Sequence, residues 1–205
     1  MIRRFIASAL MLALTVCTGC GFTMPKIGEG LQWRCAASFY PIFAIAANIM
    51  RDVPDVTLTC LIQPQDGCLR SYELSSWDEA LFFNADVVMI GGRGLESFES
   101  AIMGAENVPI LITAMDRLTL INQGAQAVDE GSSHSLSENP WLFLSTRGAE
   151  DMANNIAEAL STIDPAHADL YSENLSDFRG RLAHARREIA AVLEPVRDIN
   201  IALMQ

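Results

Sequence analysis

Short apolar runs alternate along this chain with segments whose apolar residues recur every three or four positions. The runs predict strands at 33–38, 56–62, 87–90, 109–112 and 118–121. Helices are predicted at 42–50, 76–83, 95–103 and 146–160, and in the last of these Met152, Ile156 and Leu160 lie on one face. Strand and helix alternating at such short spacing is typical of an α/β protein, with a parallel sheet flanked by helices.

Local signals fix the predicted helix starts. Pro41 is expected at the first helical position of 42–50. Ser76 and Glu79 are predicted to form a capping box at the start of the 76–83 helix. Thr146 is predicted to cap the helix that runs to Leu160. Residues 125–138 lack periodicity and are predicted to form a polar loop.

A second helix start at Asp164-Pro165 opens the longest periodic segment. Its apolar positions, spaced by four and three, are Tyr171, Leu175, Phe178, Leu182, Ala185, Ile189 and Val192. They predict one helix of about 29 residues, roughly 43 Å long, ending near Pro195. Such a helix is longer than is needed to pack across one face of a small sheet. Residues 199–204 then predict a buried strand, which must pair with this sheet or with elements that the chain lacks.

The first residues have the order of an export signal. Arg3 and Arg4 precede an apolar run at 5–16 that is too short to span a bilayer as a mature helix. Small residues before Cys20 resemble the lipobox of bacterial lipoproteins, although Cys17 stands where leucine is usual. The prediction is cleavage after residue 19 and a lipid on Cys20, anchoring the protein to the bacterial cell membrane. An ordinary secretory signal with an incidental cysteine is the alternative.

Charge narrows the classes of partner. The formal net charge is −11, and removing the two arginines of the signal makes it −13. An acidic exported domain has no electrostatic basis for binding nucleic acid or an anionic membrane surface. No Ser-His-Asp spacing or carboxylate pair stands out, so an enzyme is not predicted.

Three cysteines remain after the signal, namely Cys35, Cys60 and Cys68. Cys60 and Cys68 could close a small loop in an oxidising compartment; three unpaired thiols are the alternative. These three cysteines form no CxxC motif, so they do not indicate a zinc ribbon or a thioredoxin-like site.

Five segments, in the right order, resemble the cluster A-I solute-binding lipoproteins of ABC-type zinc and manganese importers. Residues 37–41 resemble the end of the family's opening strand and the start of the helix that follows it. The 64–78 loop resembles P-x(n)-P-H-x-Y-E-P-T-P-x-D, and 85–96 resembles A-D-L-V-V-x-N-G-x-G-L-E. Asn139 to Ser145 resembles N-P-H-x-W-L-S, and 153–165 resembles the approach to a long helix.

The resemblance implies two α/β lobes joined by the long helix, with zinc or manganese held between them by histidine and carboxylate ligands. It implies an ABC permease and ATPase as partners. The expected organisation is a signal peptide at 1–19, a lipid-anchored tether at 20–30 and an N-terminal lobe at 31–145. The connecting helices follow at 146–195, and 196–205 is the first strand of a missing C-terminal lobe.

The family's two N-terminal histidines are both replaced. Arg70 stands at the first position and Trp141 at the second. Arginine stays protonated and tryptophan has no lone pair to give, so neither replaces an imidazole. Glu73 survives from the motif and His134 lies in the 129–137 loop, but each is a weak candidate ligand by itself. The prediction is a metal site that has lost its ligands, with Arg70 stacked on Trp141.

The predicted function is therefore the extracytoplasmic component of a divalent-metal importer, truncated and with degenerate ligands. The chain could be one part of an interrupted gene, completed by a separately encoded C-terminal lobe, or a divergent paralogue. The alternative is a lipid-anchored, adhesin-like interaction module that binds no metal.

Overall fold

The computed structural model describes residues 32–63, 66–104, 109–119, 121–122 and 138–197. The predicted signal peptide, Cys20, the tether, His134 and the 199–204 strand lie outside the described residues. The strands are β1 (Trp33–Phe39), β2 (Val56–Ile62), β3 (Val87–Ile90), β4 (Ile110–Thr113), β5 (Ile121–Asn122) and β6 (Glu138–Asn139). The α-helices are α1 (Tyr40–Ile49), α2 (Ser76–Phe83), α3 (Glu99–Met103), α4 (Thr146–Ile163) and α5 (Ala168–Leu193).

Four parallel strands form the sheet, in the order β2-β1-β3-β4. All four residues of β3 are buried, as expected for a central strand that is apolar at every position. The predicted fold class, a parallel sheet flanked by helices and followed by a long helix, is confirmed.

The long helix α5 is fixed to the lobe by Asn174. This buried side chain donates hydrogen bonds to the carbonyls of Ile49 (3.0 Å) and Arg51 (2.8 Å), where α1 ends. It also accepts one from the Arg51 guanidinium at 2.9 Å. The contact satisfies carbonyls that a helix end leaves without an intrahelical donor.

The apolar seam of α5 is buried over only part of its length. Tyr171 is buried and Phe178 is half-buried, whereas Ile189 and Val192 are exposed. Among the described residues, no helix is both long enough and apolar enough to cross a membrane.

Two predicted helix starts are wrong by one residue. The cap of α2 is Ser75, which forms the capping box with Asp78, one residue before the predicted pair. The cap of α4 is Ser145, whose hydroxyl accepts the amide N–H of Gly148, and the helix runs on to Ile163. In both cases the capping residue has an extended backbone and the predicted residue already lies inside the helix.

Asp164 occupies the N-cap position and Pro165 the first helical position of a helical segment, as predicted, but the first turn of that segment is 3₁₀. A 3₁₀ turn, Pro165–His167, separates it from α5, and its side chain makes no capping bond. Its Oδ2 atom instead accepts the Tyr171 hydroxyl at 2.8 Å and lies 2.7 Å from Nδ1 of His167. The α-helix therefore begins only at Ala168. The hydrogen bond between Tyr171 and the Asp164 carboxylate connects the α4–α5 junction to α5.

Two further predictions were too long or misplaced. The predicted 95–103 helix is shortened to α3, since residues 95–98 are not α-helical and the turn at Arg93 and Gly94 before them is left-handed. The 118–121 strand is also wrong, since Leu118 is in no strand and β5 starts at Ile121. The antiparallel pairing of β5 with β6 also shows that Glu138 is not loop.

Candidate functional site

An apolar cleft of about 390 Å³ lies at the carboxyl ends of β1 and β2. Its lining residues are Phe39, Tyr40, Pro41, Ile62, Gln63, Gly67, Cys68, Leu69, Trp141 and Phe143. In open α/β sheets this is the end at which ligands bind, because the loops that leave the strands converge there.

Aromatic rings form much of the cleft wall. Phe143 lies between Phe39 and Trp141, with centroid distances of 5.2 Å and 5.6 Å and nearly perpendicular ring planes. Edge-to-face pairs of this kind are a favoured aromatic geometry. Tyr40, at the mouth, is 54% exposed and its ring stacks on Phe43. The wall therefore presents fixed ring surfaces to the cleft.

The segment bearing Trp141 and Phe143 is held against the start of α4. The Ser145 hydroxyl donates to the carbonyl of Leu142 at 3.1 Å and accepts the N–H of Gly148 at 2.9 Å. Gly148 lies so close that a Cβ there would be 2.1 Å from the Leu142 carbonyl oxygen. Only glycine allows the 3₁₀ turn Leu142–Leu144 to approach the helix this closely.

Behind the cleft, Glu96 ties the end of β1 to the turn after β3. Its buried carboxylate accepts the Ser38 hydroxyl at 2.7 Å and the N–H groups of Gly91 (2.6 Å) and Gly92 (2.9 Å). Burial raises the pKa of Glu96, and the three hydrogen bonds offset part of that effect. The sequence analysis did not predict this role of Glu96. The available signal was an acidic residue shortly after a Gly-Gly turn at the end of an apolar strand.

The two substituted ligand positions lie at the same cleft. Trp141 is in its wall, and Arg70 directly follows the lining residues Cys68 and Leu69, in the 3₁₀ turn Leu69–Ser71. Stacking of Arg70 on Trp141 stays a prediction.

The other candidate ligands are not gathered there. Glu73 is exposed and lines a separate shallow depression with Ser71 and Glu79. His167 lies beside Asp164, and His184 lies 3.2 Å from Glu188 on the long helix. Within the described ranges, no three His, Cys, Asp or Glu side chains are close enough to hold a metal ion.

The cysteines do not pair. Cys35, Cys60 and Cys68 are free thiols, so the loop closure considered between Cys60 and Cys68 is not formed. Burial raises the pKa of Cys35 to about 12, which keeps that thiol protonated at neutral pH.

A parallel four-stranded lobe, followed by a long helix and with a cleft at the carboxyl ends of its strands, is the lobe of a solute-binding protein. The chain belongs to the family described as zinc-uptake complex component A, periplasmic, which matches residues 35–204. This confirms the family resemblance. The family is one of metal-binding solute-binding proteins rather than enzymes.

Solved structures agree on the fold. Streptococcus pneumoniae AdcAII is 22% identical, with a TM-score of 0.68, and the match covers 83% of this chain and 60% of that one. The Zn(II)-bound ZnuA-like domain of S. pneumoniae AdcA is 17% identical, with a TM-score of 0.65 and coverages of 78% and 55%. FpvC of Pseudomonas aeruginosa, solved with Mn²⁺, is 26% identical with the same TM-score and coverages. A comparison with curated proteins found no match.

The chain spans 60% of the length of AdcAII and 55% of that of FpvC. The described residues correspond to a single lobe and a long helix.

Proposed function

We propose that this protein is the extracytoplasmic solute-binding component of an ABC-type importer whose cargo is a divalent metal, zinc or manganese. The observation that supports this most is the family match over residues 35–204, which includes all of the sheet except the first two residues of β1, and the long helix. In this proposal residues 31–145 are the N-terminal lobe and 146–195 are the helices that connect it to a second lobe.

The proposal includes a degenerate metal site on this lobe. Arg70 and Trp141 occupy the two positions where the family resemblance places imidazole ligands, and the cleft between their segments is apolar. A divalent metal exchanges its hydration water only for nitrogen, oxygen or sulfur donors. Ligands for a bare ion would therefore have to come from outside the described part of this lobe.

A second lobe is the natural source of those ligands. It would pair with the strand predicted at 199–204 and cover the far end of α5, where Ile189 and Val192 are exposed. Whether that lobe follows on the same polypeptide or is a separate protein, it would close over the cleft, and residues 196–205 would be its first strand.

The proposed partners are an ABC permease and its ATPase, which would receive the cargo from the closed protein. Anchoring through a lipid on Cys20 would keep the protein at the membrane that holds the permease. Durable membrane attachment requires more than one lipid chain. The acyl chain and the glycerol-linked chains on the anchoring residue would together meet that requirement.

Uptake measurements in the native cell test the proposal. Deleting the gene should lower accumulation of radioactive zinc or manganese under metal limitation, and the full-length gene should restore it. Cys20→Ala should fail to restore uptake and should release the protein from the membrane. Cys17→Ala is the matched control and should behave as the native chain does. Unchanged zinc and manganese accumulation in the deletion strain would overturn the importer role.

A further inference from the structure

The walls of the cleft favour an apolar organic molecule over a bare metal ion. Phe39, Pro41, Ile62, Leu69 and Phe143 contribute apolar surface, and the polar side-chain groups in the lining are few. A divalent cation moved into such surroundings loses hydration that the walls cannot replace. The same surroundings favour an apolar molecule, which leaves water at no such cost.

The size of the cleft is that of a small-molecule site. Its volume of about 390 Å³ lies within the usual range of roughly 300–1,000 Å³ for ligand pockets. A few polar groups next to apolar walls typically fix a ligand's orientation in such pockets. Here the Cys68 thiol and the Tyr40 hydroxyl could serve that purpose, as could the side-chain oxygen of Gln63, whose amide nitrogen donates to the Cys60 carbonyl at 3.1 Å.

The arrangement of the rings selects for a flat partner. Phe143 is held edge-to-face by Phe39 on one side and by Trp141 on the other, and Trp141 belongs to a segment fixed by Ser145. Rings held in this way lose little conformational freedom when a ligand stacks on them. Tyr40 adds a second, half-exposed ring at the mouth.

We propose that this cleft binds a small organic molecule with a flat aromatic ring, either free or as an aromatic chelator that holds the metal. The chelate form deepens the proposed function, on which it rests for naming the ligand as the importer's cargo, whereas a free aromatic ligand goes beyond that function. Loss of the imidazole ligands is then a change of cargo: a chelated metal brings its own donor atoms and needs stacking surface from the protein instead.

Calorimetry on the purified full chain tests the proposal with five probes. Indole is aromatic and does not chelate, whereas 1,10-phenanthroline is offered both free and as its zinc complex. Zinc chloride alone is the bare ion, and cyclohexanol is a ring of similar size without an aromatic face. We expect indole or a phenanthroline form to bind at least about tenfold more tightly than cyclohexanol, as stacking on rigid rings provides.

Variants locate the binding. Trp141→Ala should weaken the aromatic probe about tenfold, and Tyr40→Ala, which removes a half-exposed side chain and so spares the fold, should weaken it several-fold. Trp77→Ala removes a tryptophan that is 73% exposed on α2 and should leave binding unchanged. Thermal melts establish that each variant is folded.

The outcomes separate the sources. Binding of indole and free phenanthroline identifies a free aromatic molecule, and binding of the zinc complex alone identifies a metal chelate. The proposal is overturned if no aromatic probe exceeds cyclohexanol, or if Tyr40→Ala and Trp141→Ala bind as the native chain does. The calorimetry uses purified protein without a permease. A negative binding result therefore does not contradict the importer role, and a negative uptake result does not contradict binding in the cleft.

Discussion

The hydroxyl of Ser38 donates a 2.7 Å hydrogen bond to the carboxylate of Glu96, and both residues are almost fully buried. Ser38 is in β1, one residue before Phe39 of the cleft, and Glu96 follows the turn after β3. The bond therefore fixes the strand end from which the cleft wall begins.

Ser38→Ala removes this bond and leaves a buried carboxylate short of a donor. Leaving a buried acceptor short of its donor costs about 1–3 kcal/mol, so the free energy of unfolding should fall by about that amount. Urea denaturation measures the loss. Ser71→Ala removes an exposed hydroxyl and should change stability by less than about 0.5 kcal/mol. Equal effects in the two variants would contradict the assigned role of the buried bond.

The stability contribution of Glu96 should depend on pH in a defined direction. Burial raises its pKa in the folded protein, so the folded state binds the proton more readily than the unfolded chain. Its contribution is complete below the ordinary glutamate pKa of about 4.3 and is lost as pH rises through the raised folded pKa. Glu96→Gln does not titrate. The unfolding free energy of the native chain minus that of Glu96→Gln should therefore decrease from about pH 4 upward. A constant or rising difference would count against a raised pKa.

The sheet was predictable because its signals are local. The run of four apolar residues at 87–90 is mostly β-branched and ends at Gly91-Gly92, which favours a buried strand, and Val56–Ile62 is also rich in β-branched residues. The helix caps were missed by one residue, since Ser75 and Ser76 are equally good candidates until the backbone angles are known. The short β5–β6 pair was missed because two-residue strands have no periodicity to detect.

The cleft was only partly predictable. The motif frame placed positions 70 and 141 near one site, and the structure puts their segments at one cleft. The aromatic wall was not foreseen, because Phe39 and Phe143 are 104 residues apart and only the tertiary fold brings their rings together. Burial of Glu96 also depends on packing that no local pattern encodes.

Two glycines should respond in opposite ways to alanine. In Gly148→Ala the new Cβ would overlap the Leu142 carbonyl, so we expect destabilisation of about 2 kcal/mol or more and displacement of the Trp141 segment. Gly180 is an exposed position in α5 with nothing within 4 Å of a built Cβ, so Gly180→Ala should stabilise the protein by up to about 1 kcal/mol. Thermal melts together with Trp fluorescence measure both effects. Similar behaviour of the two variants would contradict the close approach at 148.

The junction of α4 and α5 depends on the Tyr171 hydroxyl. In Tyr171→Phe the buried carboxylate of Asp164 loses a donor at 2.8 Å, so the free energy of unfolding should fall by about 1.5–3 kcal/mol. Tyr40→Phe makes the same chemical change on a half-exposed ring and should cost less than about 0.5 kcal/mol. Urea denaturation of the pair measures the difference, and equal losses would show that the Asp164 bond contributes nothing beyond the ring itself.

Restoring imidazoles at the two substituted positions should restore affinity for a bare ion. Arg70→His removes a fixed positive charge and Trp141→His adds a lone pair, so the double variant should bind zinc about tenfold or more tightly than the native chain. Each single variant should gain less, because one imidazole binds weakly. The gain should disappear below about pH 6, where histidine is protonated and repels the metal.

A second pair of substitutions makes this test specific. Arg179→His with Trp77→His introduces the same residue types at two exposed positions far apart in the sequence. Calorimetric titration with zinc chloride should show no comparable gain for this pair. An equal gain would mean that added histidines bind zinc wherever they are placed, and positions 70 and 141 would then have no special relation to each other. A gain confined to Arg70→His with Trp141→His would show that their side chains reach one ion.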